Sequence, residues 1–263
     1  MSLRERAEAS LILLYAGSSL LVLFLLIPLV SLYLRLSPEA LARVFGSPVL
    51  AAQVRDALAT SLAASVAATL ILLALGVPLA YVLARHQFPG KGVVEAIVDL
   101  PFVMPHAVAG IMLLTAYGSR GLLGPVLQRA GLRLEDSFAG VVAVMAFVSA
   151  PLLVDTVKAG IASVDPMVEA VARTLGAGPL RVFLDITLPM VWRHVAAGAL
   201  LAWARGLSEV GALLVVAYYP KTLNILILEY LQVYGLPYAV AVSAAYAALV
   251  AAVFIALRRL LPP

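Results

Sequence analysis

Long apolar runs separated by short polar stretches set the pattern of this chain. The first runs from Leu11 to Leu34 and the second from about Ala57 to Ala84. Further runs cover residues 93–117, 138–157, 194–218 and 237–257. Each is close to the roughly 20 residues that a helix needs to cross the hydrocarbon of a bilayer. The pattern predicts an all-α, polytopic membrane protein with six transmembrane helices. Arg4 and Arg6 before the first run resemble the start of a secretion signal. The run is too long for a signal core and has no clear A-x-A exit, so it reads as a retained helix, with Pro28 able to kink it.

The polar stretches carry their own signals. Ser37-Pro38-Glu39 supplies N-cap, N1 and N2 of a short surface helix, and Ser47-Pro48 repeats the start signal. Residues 1–54 therefore read as a first helix with an external segment, and residues 55–263 as the transmembrane core. In the second span Ser61, Ser65 and Thr69 recur every four residues, a small-residue stripe suited to close helix packing. Gly76 and Pro78 can bend that span near its end. Arg85 to Gly92 is a basic turn, and residues 118–137 form a Gly-bearing loop. Pro151 interrupts the fourth span. A loop with Pro220, Lys221 and Asn224 precedes a short surface helix from Leu226 to Tyr234.

Two spans are not simple lipid-facing rods. The third holds Pro101 and Pro105, each of which removes a helical hydrogen bond. Such a break survives in a membrane only where protein or a wet cavity satisfies the freed groups. His106 follows it, either satisfied by a neighbouring carbonyl or lining a passage. The fifth span carries Arg205 and Glu209, one turn apart on one face of a helix. They either neutralise each other and lock helix packing, or set a gate beside Gly206 and Gly211. Asp99 and Asp155 lie near span ends and read as interfacial.

The polar island from Asp165 to Pro189 lies between the fourth and fifth spans. Asp165 suits an N-cap with Pro166 at N1, and Glu169 falls in the first turn, where the helix dipole favours a carboxylate. Gly176 suits a left-handed stop, and Gly178-Pro179 ends the helix. A second short helix is expected from Pro179 to about Leu188. Together they make a knob projecting into water.

Composition agrees with the membrane reading. Of 263 residues 63% are hydrophobic and 12% charged, against roughly 45–50% apolar and about 25% charged in soluble domains. The mean hydropathy is +1.06. With no cysteine, disulfides, thiolate metal sites and Cys nucleophiles are excluded. The net charge of +4 comes from residues scattered at span ends, which is no nucleic-acid signal. With the N-terminus inside, ten basic residues fall on the inner side and seven on the outer, with Arg205 within a span. That bias places the 165–189 loop in the cytoplasm. There is no G-x-x-x-x-G-K-[ST], no H-E-x-x-H and no G-x-S-x-G. Any ATP hydrolysis must therefore lie on another polypeptide. The three histidines, His86, His106 and His194, form no ligand spacing.

The island also resembles the EAA loop of ABC-importer permeases, which reads E-A-A, three residues, Gly, nine residues, I-x-L-P. Gly176, Ile186, Leu188 and Pro189 fit that spacing, and Ala172 fits within the E-A-A part. Val171 replaces one alanine, and Glu169 lies one residue further from Gly176 than usual. Residues 55–85 resemble the opening of the permease core. LPFVMPHAVAGIMLL (100–114) and WARGLSEVGALLVVAYYP (203–220) are most similar to the molybdate, tungstate and sulfate branch, with molybdate/tungstate nearest. The resemblance implies a plasma-membrane homodimer working with a cytoplasmic ATPase dimer and an external oxyanion-binding protein. It implies alternating access, with ATP and Mg on the partner ATPase and no cofactor in this chain. The coupling residues it points to are Glu169, Ala170, Ala172, Arg173, Gly176, Pro179, Arg181, Leu188 and Pro189. The candidate path or gate comprises Pro105, His106, Arg205, Glu209 and Gly211, with Arg205 and Glu209 shaping the field felt by an anionic substrate. The alternatives are a permease for sulfate or another anion, an intramembrane enzyme using Asp99, His106 or Glu209, and a purely structural membrane subunit.

Overall fold

A computed structural model describes residues 3–260, with side-chain surroundings for residues 11–259 apart from 13, 257 and 258. Arg4, Arg6 and Arg258 from the count of basic residues lie outside those described side chains. Among the described residues all regular structure is helical. The chain runs through α1 (Leu3–Leu34), α2 (Pro38–Gly46), α3 (Pro48–Arg85), α4 (Lys91–Val103) and α5 (His106–Tyr117). It continues through α6 (Gly124–Arg129), α7 (Phe138–Ala162), α8 (Pro166–Thr174) and α9 (Pro179–Val182) to a π-helical turn, Phe183–Thr187. Then come α10 (Leu188–Met190), α11 (Trp192–Leu207), α12 (Leu213–Val216), α13 (Leu223–Val233) and α14 (Leu236–Leu260).

Among the described residues four helices are long and apolar enough to cross a membrane: Leu14–Leu34, Pro48–Arg85, Phe138–Ala162 and Leu236–Ala256. The expected third and fifth spans are each divided. Met104 is forced into an extended conformation, ψ 137°, by the proline after it, so α4 ends before Pro105 and α5 starts at His106. Pro101 is accommodated inside α4, where it is buried. The fifth span was expected to run on to residue 218, but α11 ends at Leu207 and only a short α12 follows. Glu209 therefore lies in a non-helical link and not on the helix that carries Arg205. The second span also differs, because α3 starts at Pro48 and runs for 38 residues. No breaker lies between Pro48 and Ala57, so the start signal at Ser47-Pro48 feeds directly into the span. At about 1.5 Å per residue the helix is roughly 57 Å long, so one or both ends stand clear of the hydrocarbon.

Contacts divide the chain into two units, Met1–Ala51 with Ile227–Ala251, and Ala52–Leu226 with Ala252–Pro263. In the first unit Ser37 caps α2 by accepting from the Ala40 N–H at 3.2 Å. Tyr33 Oη donates to the Ala244 carbonyl at 3.3 Å, and Arg43 to Tyr238 Oη at 3.3 Å.

In the second unit α7 is the axis. One buried cluster joins its early residues Val141, Val144 and Met145 to Ala109 and Leu113 of α5 and to Leu213 and Val216 of α12. The other joins its later residues Leu153, Val157 and Ile161 to Leu72 and Ala80 of α3 and Ala202 of α11, with Val94 and Val98 of α4 packed against it. The two divided helices thus both follow α7 along its length. Gly198, Ala202 and Gly206 recur every four residues on the face of α11 that lies on α7. A Cβ at Gly198 would stand 3.3 Å from the Leu153 carbonyl oxygen, and one at Gly206 3.3 Å from Met145 Cβ. Small residues let the two backbones approach, which is how helices gain contact where no hydrophobic drive separates them from lipid.

Candidate functional site

The polar island folds as its caps require. Asp165 Oδ1 accepts from the Met167 N–H at 2.8 Å, Pro166 opens α8, and Gly176 takes φ +89° beyond its end. The expected second helix is split, because α9 is followed by the π-helical turn and then α10. The wider turn leaves Thr187 buried, with its hydroxyl 3.4 Å from the Val182 carbonyl five residues back.

Glu169 is the centre of this loop. It is 3% exposed, although it lies on a short helix outside the four long apolar helices. Arg85 Nε, at the end of α3, donates to its Oε1 at 2.8 Å, and Thr187 Oγ1 donates to the same oxygen at 2.9 Å. Tyr81 Oη donates to Oε2 at 3.1 Å, and Arg173 Nη2 approaches Oε2 at 3.4 Å. Arg85 Nη2 also holds the Val164 carbonyl at 2.9 Å, so one guanidinium clamps both ends of the turn into α8. Burial pushes the Glu169 carboxyl up, but the hydrogen bond from Arg85, helped by Thr187 and Tyr81, outweighs it and holds the group below the ordinary carboxylate range.

This makes α8 amphipathic in the unusual sense. Glu169 and Ala172 face inward. Val168, Val171 and Leu175, spaced three and four apart on one face, are exposed, Leu175 by 83%. The structure places the other residues of the loop on the surface or beside it. Ala170, Arg173, Gly176, Pro179, Arg181 and Pro189 are exposed, and Leu188 is half-buried. Arg181 Nε pairs with Asp185 at 3.3 Å in the open. Arg181 and Asp185 line a cavity of about 280 Å³ with Ala172, Leu175, Gly176, Ala177 and Ile186. Tyr81, Arg85 and Thr187 were not singled out from sequence. The available signal was a lone carboxylate among apolar residues, which needs a partner when buried, and a basic residue at the end of the preceding span.

The two helix interruptions meet at a second cluster. His106 Nδ1 lies 2.8 Å from Glu209 Oε2, and Arg205 Nη1 donates to the same oxygen at 3.0 Å. Arg205 Nη2 stands alongside the imidazole, 3.2 Å from Nδ1 and 3.5 Å from Nε2. Glu209 Oε1 accepts from the Ala212 N–H at 2.8 Å. The carbonyls freed where α11 ends are taken by Asn224 Nδ2, at 2.9 Å from Leu207 O and 3.2 Å from Glu209 O. Gly211 is needed for the fit, because a Cβ there would stand 2.6 Å from His106 Cβ. Pro105 is exposed at the break. All five candidate path residues therefore fall at or beside one place. Among the described residues no group of three His, Cys, Asp or Glu side chains is arranged to hold a metal ion.

Residues 76–262 match the family model described as the binding-protein-dependent transport system inner membrane component. The chain belongs to that family. The match takes in the Glu169 loop and both divided helices. Among transport permeases, the chain is 42% identical over 255 residues to the molybdate/tungstate transport system permease protein WtpB of Thermococcus kodakarensis, covering 96% of each chain. It is 33% identical over 233 residues to the sulfate transport system permease protein CysT of Salmonella typhimurium, covering 86% of this chain and 84% of that one. The fold matches a bacterial alginate ABC transporter solved in complex with its alginate-bound periplasmic protein, at TM-score 0.74 and 17% identity over 96% of this chain and 93% of that one. As a transport permease subunit this chain is a multi-pass membrane protein and not itself an enzyme.

Proposed function

We propose that this chain is the membrane passage of an ATP-driven importer, carrying an oxyanion, molybdate or tungstate, from an external binding protein to the cytoplasm. The observation that carries this reading is the inverted face of α8. Its carboxylate is turned inward and its valines and Leu175 outward. Exposed apolar side chains on a polar knob are the mark of a docking surface. The surface fits a groove on a cytoplasmic ATPase subunit, which would supply the ATP and Mg chemistry that no P-loop here can supply. Docked there, α8 would pass the movement of the ATPase dimer to the spans of a permease homodimer through alternating access. Substrate affects that cycle only through its different affinity for the two states.

Six spans then follow if α4 with α5, and α11 with α12, each cross the membrane as a discontinuous pair. The N-terminus and the Glu169 loop lie in the cytoplasm, as the basic-residue bias favours. Pro105, His106, Arg205, Glu209 and Gly211 line the path or its gate. The similarity to the molybdate/tungstate relative over 96% of the chain supports the choice of anion. Sulfate is the second reading, on the 33% identity to a sulfate permease.

The test has two arms. Leu175→Glu puts a charge on the docking face and is expected to abolish co-purification of the ATPase while the permease itself remains soluble in detergent. Retained co-purification and uptake would overturn the docking assignment. In proteoliposomes holding the complete complex, competition of tungstate, molybdate and sulfate for uptake gives the anion order, and sulfate winning would replace the first reading by the second.

A further inference from the structure

His106 and Arg205 lie 99 residues apart in sequence, yet they share one carboxylate oxygen of Glu209. Their depth can be read from α7. Gly206, next to Arg205, rests on Met145 and Ser149. Those residues are roughly 11–17 Å from the start of α7 at 1.5 Å per residue, and about 20 Å or more from its other end. The cluster therefore lies well inside the span.

At that depth exposure is informative. The His106 side chain is 52% exposed and that of Arg205 20%, while Glu209 is fully buried. A cationic or imidazole side chain open to lipid at mid-span costs a few kcal/mol, so its open side faces water or protein. Interrupted helices at this level are the usual setting of a membrane transport site, because their loose backbone must line a cavity.

We propose that His106 and Arg205 form a weak oxyanion way-station in the passage, and that Glu209 is the positioning residue that aims them. The proposal rests on the reading of the chain as an oxyanion permease and names its contact groups. Glu209 takes one guanidinium N–H and faces imidazole Nδ1. Arg205 Nη2 lies against the imidazole, and the open side is formed by the half-exposed ring of His106 and the partly exposed guanidinium beside it. Nε2 is a second donor when the ring is an imidazolium. With Glu209 ionised the trio is neutral, or carries one positive charge when His106 is protonated. That keeps binding weak enough for release, as conduction requires.

The absence of cysteine from the chain makes a direct probe available. His106→Cys, in the complete permease–ATPase complex in proteoliposomes, is the only thiol on this chain. Its reaction with a negatively charged thiosulfonate is expected to be at least fivefold faster than with a positively charged one of similar size, and millimolar molybdate should slow it. Adding Arg205→Gln should remove the preference, and adding Glu209→Gln should raise it. A structural role for Glu209 would lower the yield of complex and leave the preference unmoved. Equal rates with both reagents, or a preference that survives Arg205→Gln, would overturn the way-station. Should Arg205→Gln not assemble, Arg205→Lys retains charge and is expected to keep the preference while lowering molybdate uptake about tenfold. If Arg205→Lys loses the preference or leaves uptake unchanged, the assignment falls. If the unaltered complex takes up no oxyanion while the His106→Cys complex shows the charge preference, the anion site stands and the substrate reading falls.

Discussion

Glu169 is held by three donors from two separate stretches of chain, Tyr81 and Arg85 at the end of α3 and Thr187 at the π-helical turn, with Arg173 of its own helix further off at 3.4 Å. Each of the three has a different cost when it is lost. Arg85 is the charge, Thr187 and Tyr81 are neutral. Removing the carboxylate with Glu169→Ala leaves a buried guanidinium without its counter-charge, at a cost of roughly 3–5 kcal/mol. The expected readout is a thermal midpoint lowered by several degrees in the purified complex. The carboxyl is held below its ordinary range, so the pair stabilises fully above the unfolded value of about 4.3 and the contribution is lost as pH falls through the folded value. Acidification into that window should lower the midpoint of the unaltered protein, and Glu169→Gln should flatten that dependence. An unchanged slope in the variant would place the acid sensitivity elsewhere. At Gly176 the cost is conformational, since φ +89° is strained for any residue with a Cβ. Gly176→Val is expected to lose about 1–2 kcal/mol and to weaken ATPase co-purification. Unaltered binding and transport would remove the idea that this turn orients α8.

At the scale of elements, caps and breakers were legible because they act within a few residues. Ser37, Asp165 and Gly176 each behave as their local chemistry requires. Pro105 divides the third span because it restricts the residue before it. The division after Leu207 was not legible, since nothing in Gly206 to Gly211 forbids a helix. It depends on Asn224 Nδ2 donating to two carbonyls that lie 15 and 17 residues away. The closeness of α7 and α11 was likewise hidden. A Cβ at Gly160 would lie 2.3 Å from His194 Cγ, so the ring of one helix occupies the space that a side chain on the other would need. Gly160→Ala is expected to cost about 1–3 kcal/mol through overpacking. His194→Ala made in the same chain should recover most of that loss, so thermal midpoints of the four-member cycle will be non-additive. Additive losses would show that the helices shift apart freely.

For the whole molecule, the proposed cytoplasmic side of the Glu169 loop, which the basic-residue bias favours, can be tested without touching function. Leu175 and Leu122 are exposed by 83% and 85%, and the chain offers no competing thiol. In intact cells a membrane-impermeant reagent should label Leu122→Cys and leave Leu175→Cys unreacted until the cells are opened. The reverse pattern would invert the topology. Apolar run length and polar interruption determined by themselves that this is a helical membrane protein with a capped polar knob between two spans, because burial in lipid and helix capping are local demands on residue type. The spacing through Gly176 and Pro189 added a resemblance to the importer permeases, which is a family likeness and not a local physical demand. Only the tertiary structure turned Glu169 inward to Arg85, divided the span after Leu207, and brought His106 to Arg205 and Glu209. Those outcomes depend on which distant group reaches a buried charge or a freed carbonyl first, and such partners are set by packing around α7, which no local pattern encodes.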